Sequence, residues 1–171
     1  MLGGMTIERS EPPLTAPERE MLDGWLEYHR ATLAWKCEGL SDDQLRERAV
    51  PPSSLSLIGL VRHMAEVERG WFRRRVGRED LPSIYCTDAS PDADFDDVAD
   101  ADVAAAFETW RQECDRARAN VAAVTSLDDT FEREQDRYSL RWIMSHMVEE
   151  YARHNGHADL LRERIDGATG D

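Results

Sequence analysis

Apolar residues return every three or four positions over four long stretches of the chain, and nowhere do they alternate with polar ones for long enough to mark a half-buried strand. In the first stretch Leu22, Trp25, Leu26, Leu33 and Cys37 share a helical face. Thr15, with Glu18 three residues on, has the form of a capping box, so the spacing predicts a helix from about Ala16 that stops at Gly39. Ser41 and Gln44 repeat the capping pair ahead of a short helix in "DDQLRER", which Pro51 and Pro52 end. A second long helix is predicted from about Ser56 to Val76, with Gly77 after it. Its stripe is Leu57, Leu60, Val61, Met64, Val67 and Trp71.

The third long helix, 101–124, is expected to be capped by Asp100 and to turn Val103, Phe107, Trp110, Cys114, Ala117 and Val121 inward. "TFEREQDRY" reads as a short extended or irregular stretch. Ser139 then caps a fourth long helix that ends before Gly167, with Leu140, Ile143, Met147, Tyr151, Ala158 and Leu161 as its stripe. Four long amphipathic helices predict an all-α four-helix bundle with a short accessory helix. Between them, "REDLPSIYCTDASPDADFDDVAD", residues 78–100, is a long acidic connection expected to be solvated, crossing a bundle end or acting as a lid. Residues 1–14 are expected to form a flexible arm, and 15–171 a single domain.

Composition narrows the partners. With 41% hydrophobic and 33% charged residues in 171, the chain is globular in type, and its formal charge of −14 repels phosphate backbones and anionic lipid. Neither nucleic acid nor membrane is an expected partner. No apolar run suggests a leader or a span, so a cytoplasmic location is expected. Cys37, Cys86 and Cys114 are odd in number and widely spaced, which predicts free thiols.

The fourth helix carries most of the candidate chemistry. "SHMVEEYARHNGHADLLRERIDG" holds His146, His154 and His157 with Glu149 and Glu150 between them. Residues four apart stack on one face, so Glu150 and His154 can point at a common spot, and His146 lies one turn earlier in the same row. Two donors from one helix hold a divalent ion weakly. His63, on the flank of the second helix's stripe, is the natural third. Two imidazoles and a carboxylate suit zinc and can hold nickel, iron or manganese, leaving positions for substrate. Against this stands the commoner fate of such residues: a hydrogen-bonded core histidine, which is the reading for His29, or a surface Glu/His contact. His146 and His157 are read as support for the ligands or as exposed.

Three stretches, "RATLAWKCEGLSDDQLRERAVPPSSLSLIGLVRHMAEVERGWF", "FETWRQECDRAR" and "LRWIMSHMVEEYARHNGHADLLRERIDG", resemble the DinB/YfiT-like superfamily of metal-binding four-helix bundles, and within it the mycothiol S-transferase-like group. The resemblance puts that superfamily's metal ligands at His63, Glu150 and His154. Many relatives carry histidine where this chain has Glu150, so the set here is similar to the His-Glu-His arrangement of mycothiol-dependent maleylpyruvate isomerase.

The implied function is transfer of a low-molecular-weight thiol, mycothiol, to an electrophilic small molecule, with the thiol activated as thiolate by the metal. Trp71, Trp142 and Tyr151 become candidates for the pocket wall. Arg62 and Arg153 are read as helix-surface salt bridges. Two alternatives stay open at this point: a hydrolase or isomerase using the same ion, and a non-catalytic, stress-linked bundle that the ion merely stiffens. A homodimer through helix faces is compatible with the fold.

Overall fold

The computed structural model of the chain describes residues 9–133 and 135–170. Its first helix, α1, spans Glu18–Cys37 and starts from Pro17, which is extended and makes no side-chain cap. The expected Thr15–Glu18 box therefore does not form. Proline's fixed φ and the acidic first turn, Glu18 and Glu20, begin the helix two residues later. At the other end Arg162 donates to the carbonyls of Lys36 and Glu38 at 3.0 and 2.8 Å, which serves acceptors the helix itself cannot satisfy. Gly39 follows with φ +77°, a left-handed turn that glycine takes without a Cβ clash.

Helix α2, Asp42–Arg46, has the predicted capping box: Ser41 accepts from the Gln44 amide while the Gln44 side chain returns to Ser41. The next helix, α3, Leu57–Glu68, runs on as a π-helical segment, Arg69–Val76, where the ladder widens so that Gly77 bonds to Phe72 five residues back. The hydrophobic period gave no hint of that widening. What supports it comes from the helix over Val103–Ala122: Asn120 donates to the Phe72 carbonyl at 3.1 Å, and the buried Glu113 receives Arg69 and Arg73 at 2.6 and 3.0 Å. Gly77 is required by crowding, since a Cβ there would sit 2.3 Å from the Asn120 amide.

After the acidic connection and a single-turn helix α4, Ala93–Asp96, helix α5 spans Val103–Ala122. Its cap is Asp102 and not the expected Asp100. The Asp102 carboxylate accepts from the Ala105 amide at 2.9 Å, and the first turn begins where Val103 becomes buried. Strands β1, Thr130–Arg133, and β2, Asp136–Ser139, form an antiparallel hairpin with Thr130 opposite Ser139. Ser139 then accepts from the Trp142 amide at 3.1 Å and opens α6, Leu140–Asp166.

The chain divides into two compact units: residues up to Leu57 together with Met144 onward, and Ile58–Ile143. In the first, α1 and α6 are tied by Lys36–Asp159 at 2.5 Å and by Asn155, which donates to the His29 carbonyl at 3.0 Å. In the second, α5 packs against the π segment. The predicted stripes of α5 and α6 are buried throughout, as are Leu57, Leu60, Val61 and Met64 on α3. Trp25 departs from its stripe, 40% exposed, with its ring stacked on His29.

Of the expected arm, residues 1–8 lie outside the described residues, while Arg9 sits over the rings of Tyr28 and Trp35 and Pro12 is buried. Among the described residues no helix is long and apolar enough to cross a membrane. The chain is all-α in class, with the helices of a DinB-like bundle and, among the described residues, strands confined to one hairpin.

Candidate metal centre

Helix α6 brings most of the named residues into one row. Glu150 Oε2 lies 3.4 Å from His154 Nε2, and Glu150 Oε1 lies 3.6 Å from His146 Nε2 and 3.8 Å from an Arg153 nitrogen. The two carboxylate oxygens thus face different neighbours. A separation of 3.4 Å is long for a charge-assisted hydrogen bond. It matches the spacing of two donors that share an ion, since ligands about 2.1 Å from a tetrahedral centre lie about 3.4 Å apart. His154 is buried, and its Nδ1 is 3.4 Å from His157 Nδ1.

His146, Glu149 and Glu150 form a second group whose donor atoms fall within 4.8 Å of one another. It is the weaker host: Glu149 is half exposed and its carboxylate is already engaged by Arg153.

His63 belongs to the other unit, where the acidic connection holds it. His63 Nδ1 is 2.8 Å from Asp94 Oδ2, and the ring stacks on Phe95 with centroids 4.6 Å apart. Asp94 is itself fixed, its Oδ1 accepting from the Phe95 amide at 3.0 Å. Donating from Nδ1 to a carboxylate leaves Nε2 as the lone-pair nitrogen, the arrangement that makes imidazole a metal ligand.

The connection that carries Asp94 is docked on two further residues of α3, Arg62 and Glu66. Arg62 donates to the carbonyls of Ala93, at 3.0 Å, and Asp97. Glu66 accepts from the amides of Ile84, Tyr85 and Cys86 at 2.7, 2.5 and 3.0 Å. Arg62 is therefore not the surface salt bridge expected of it; it is buried and spent on backbone carbonyls. Nor is the whole acidic run solvated, because Asp94 is 3% exposed. Asp94 is the residue that sequence reasoning missed. Seven acidic residues stand between Arg78 and Asp100, and nothing in their spacing singles it out.

The aromatic candidates separate. Trp71 and Trp142 join Tyr138 in a cluster, with centroids 4.7 to 5.4 Å apart and Trp142 45% exposed. Tyr151 is fully buried among the core side chains. A cavity of about 580 Å³ opens beside Arg62, bounded by Tyr85, Asp97, Asp102 and Thr109.

None of the chain's own thiols is a ready nucleophile. Burial pushes the Cys37 thiol up to about 12 and is also the largest cause that pushes Cys86 up to about 11. Cys114 is buried. His29, by contrast with His63, has no carboxylate within bonding distance among the described contacts; its ring lies 3.4 Å from the Asn155 amide, and burial pushes its pKa down.

An all-α chain whose described residues include His/Glu groups able to hold a metal fits the DinB-like class of helical bundles. The sequence profile of the mycothiol-S-transferase family matches residues 21–167, and the chain belongs to that family. No curated protein matches the chain.

Proposed function

We propose that the protein joins the sulfur of a low-molecular-weight thiol, mycothiol by its family, to an electrophilic small molecule, and that His63, Glu150 and His154 hold the divalent ion on which this depends. Zinc is the first choice for two imidazoles and one carboxylate. When bound, such an ion lowers the pKa of a coordinating thiol and so supplies a nucleophile at neutral pH.

The observation that carries the reading is how His63 is held: the Asp94 carboxylate fixes its tautomer and ring plane, which is the support metal-ligating histidines receive. Glu150 offers Oε2 beside His154 while Oε1 faces His146 and Arg153, so the carboxylate is oriented before any ion arrives. His146, partly open to solvent, stands where it can pass the thiol proton to water. The raised pKa values of Cys37 and Cys86 fit a reaction whose sulfur is brought in by the substrate.

The test is elemental analysis of protein purified without chelators, paired with turnover of a generic electrophile with and without mycothiol. One equivalent of metal and strictly thiol-dependent turnover are expected. Turnover that persists without thiol points to activated water instead, and stoichiometric metal with no turnover points to an ion that only stiffens the helices.

A further inference from the structure

Arg69, Arg73, Arg74, Arg75 and Arg78 fall within ten residues, along the π segment and just past its end. Two of them have structural work: Arg69 and Arg73 are bound to the buried Glu113, and Arg73 also to Glu79. The others turn to a different face. Arg74, Arg75 and Arg78, with Arg137 and Thr130 of the hairpin, line a cavity of about 510 Å³ in which, among the described residues, Glu132 is the one carboxylate.

We infer that this cavity is a binding site for a small dianionic ligand, one that carries a phosphoryl group or a pair of carboxylates. Four guanidinium groups surround it against one acid. Arg75 is held with its guanidinium over the Trp71 ring, 4.4 Å from the centroid, and Arg137 is held by Glu132 at 2.9 Å, its partner across the hairpin. Arg74 and Arg78 have no ion-pair or hydrogen-bond partner among the described residues. Two fixed cations thus flank two uncompensated ones, and a dianion matches the uncompensated pair. Guanidinium groups offer paired donors to planar and tetrahedral oxyanions alike.

The backbone at Arg78 argues the same way. Its φ is +54°, the left-handed region in which glycine or asparagine costs least. Gly77 beside it is needed where it stands by the closeness of Asn120, so the turn falls on position 78, and that position carries a long cation. The left-handed backbone at this position therefore coincides with an arginine that lines the cavity. Favourable placement near a helix C-terminus accounts for Arg74 and Arg75, but not for Arg78 beyond the helix end or Arg137 on a strand. The net charge of −14 favours a small anion over a nucleic-acid chain.

The experiment titrates the metal-loaded protein with inorganic phosphate and, separately, succinate at constant ionic strength, reading binding by calorimetry and thermal midpoint. Saturable binding of at least one is expected, and which binds tighter tells a phosphoryl ligand from a dicarboxylate. Arg74→Gln and Arg78→Asn should each weaken it by about tenfold or more, the loss of one charge-assisted contact. Arg78→Asn should do so without lowering the thermal midpoint in the absence of ligand, because asparagine suits that backbone, which separates lost binding from lost folding. Arg111→Gln, on an exposed face of α5, should bind as the parent does. Absence of saturable binding, unchanged affinity in both cavity variants, or equal weakening by Arg111→Gln overturns the assignment.

Discussion

His29 and His63 look alike in the sequence: each lies in a long helix, beside an apolar stripe, without a nearby motif. Their surroundings differ in kind. His29 is stacked on Trp25 and faces the neutral amide of Asn155, and burial holds its pKa down. His63 has a buried carboxylate on Nδ1 and a ring, Phe95, over its face. A neutral neighbour leaves an imidazole that merely packs; a carboxylate on one nitrogen prepares the other to bind an ion. The two histidines thus differ in the residue behind the ring, and for His63 that residue, Asp94, sits on the single turn α4 within the acidic connection.

The largest effect should come from exchanging the two histidines for alanine in turn. His63→Ala is expected to abolish stoichiometric metal and to lower thiol-dependent turnover by roughly 100-fold or more, beyond the about 10- to 100-fold range of losing an outer partner. His29→Ala should keep the metal and most activity while losing about 1 kcal/mol of stability, as for an ordinary half-buried side chain. Metal analysis with denaturant unfolding of both variants reads the contrast. Metal retained by His63→Ala erases it.

The next effect is smaller and concerns Asp94. Asp94→Ala removes the carboxylate behind His63, so metal affinity should fall about 10- to 100-fold in competition with a chromophoric chelator. Asp94→Asn should fall less, because an amide oxygen can still accept from Nδ1. Helical content should not change in either, since Glu66 and Arg62 hold the connection independently of Asp94. Equal metal affinity in all three proteins would make the Asp94–His63 bond a packing feature only.

These contrasts mark where sequence reasoning works on this chain. Helix faces repeat with a fixed period, so the stripes of α5 and α6 and the Glu150–His154 pair follow from spacing alone, and so does the Ser41–Gln44 box. Caps depend on one residue's backbone, which is why Thr15 and Asp100 were expected where Pro17 and Asp102 stand. The connection has no period at all. Its order comes from side chains of α3 reaching backbone amides and carbonyls, and such bonds depend on where the chain happens to pass. Asp94 is invisible for that reason, and so is the π turn, whose support comes from Asn120 and Glu113 on another helix. Periodicity carried the all-α fold class, and the DinB-like resemblance added the family, which periodicity could not have named.

The smallest effect sharpens the comparison from the His29 side. Its pKa lies below the ordinary value of 6.5 because burial disfavours the charged ring, so the unfolded chain takes up this proton more readily than the folded one. The stability that neutral His29 contributes is whole above about pH 6.5 and is lost as the pH falls through its lowered value. Replacing the ring by His29→Gln removes that loss. Between pH 7.5 and pH 5 the parent should therefore lose more unfolding free energy than the variant, by well under the full burial penalty because the ring is half open to solvent. The two proteins differ at this ring alone, so the contributions common to both cancel in the difference. Denaturant midpoints that fall in parallel over this range would mean that burial does not disfavour the His29 cation, and the two histidines would then differ only in what Asp94 adds.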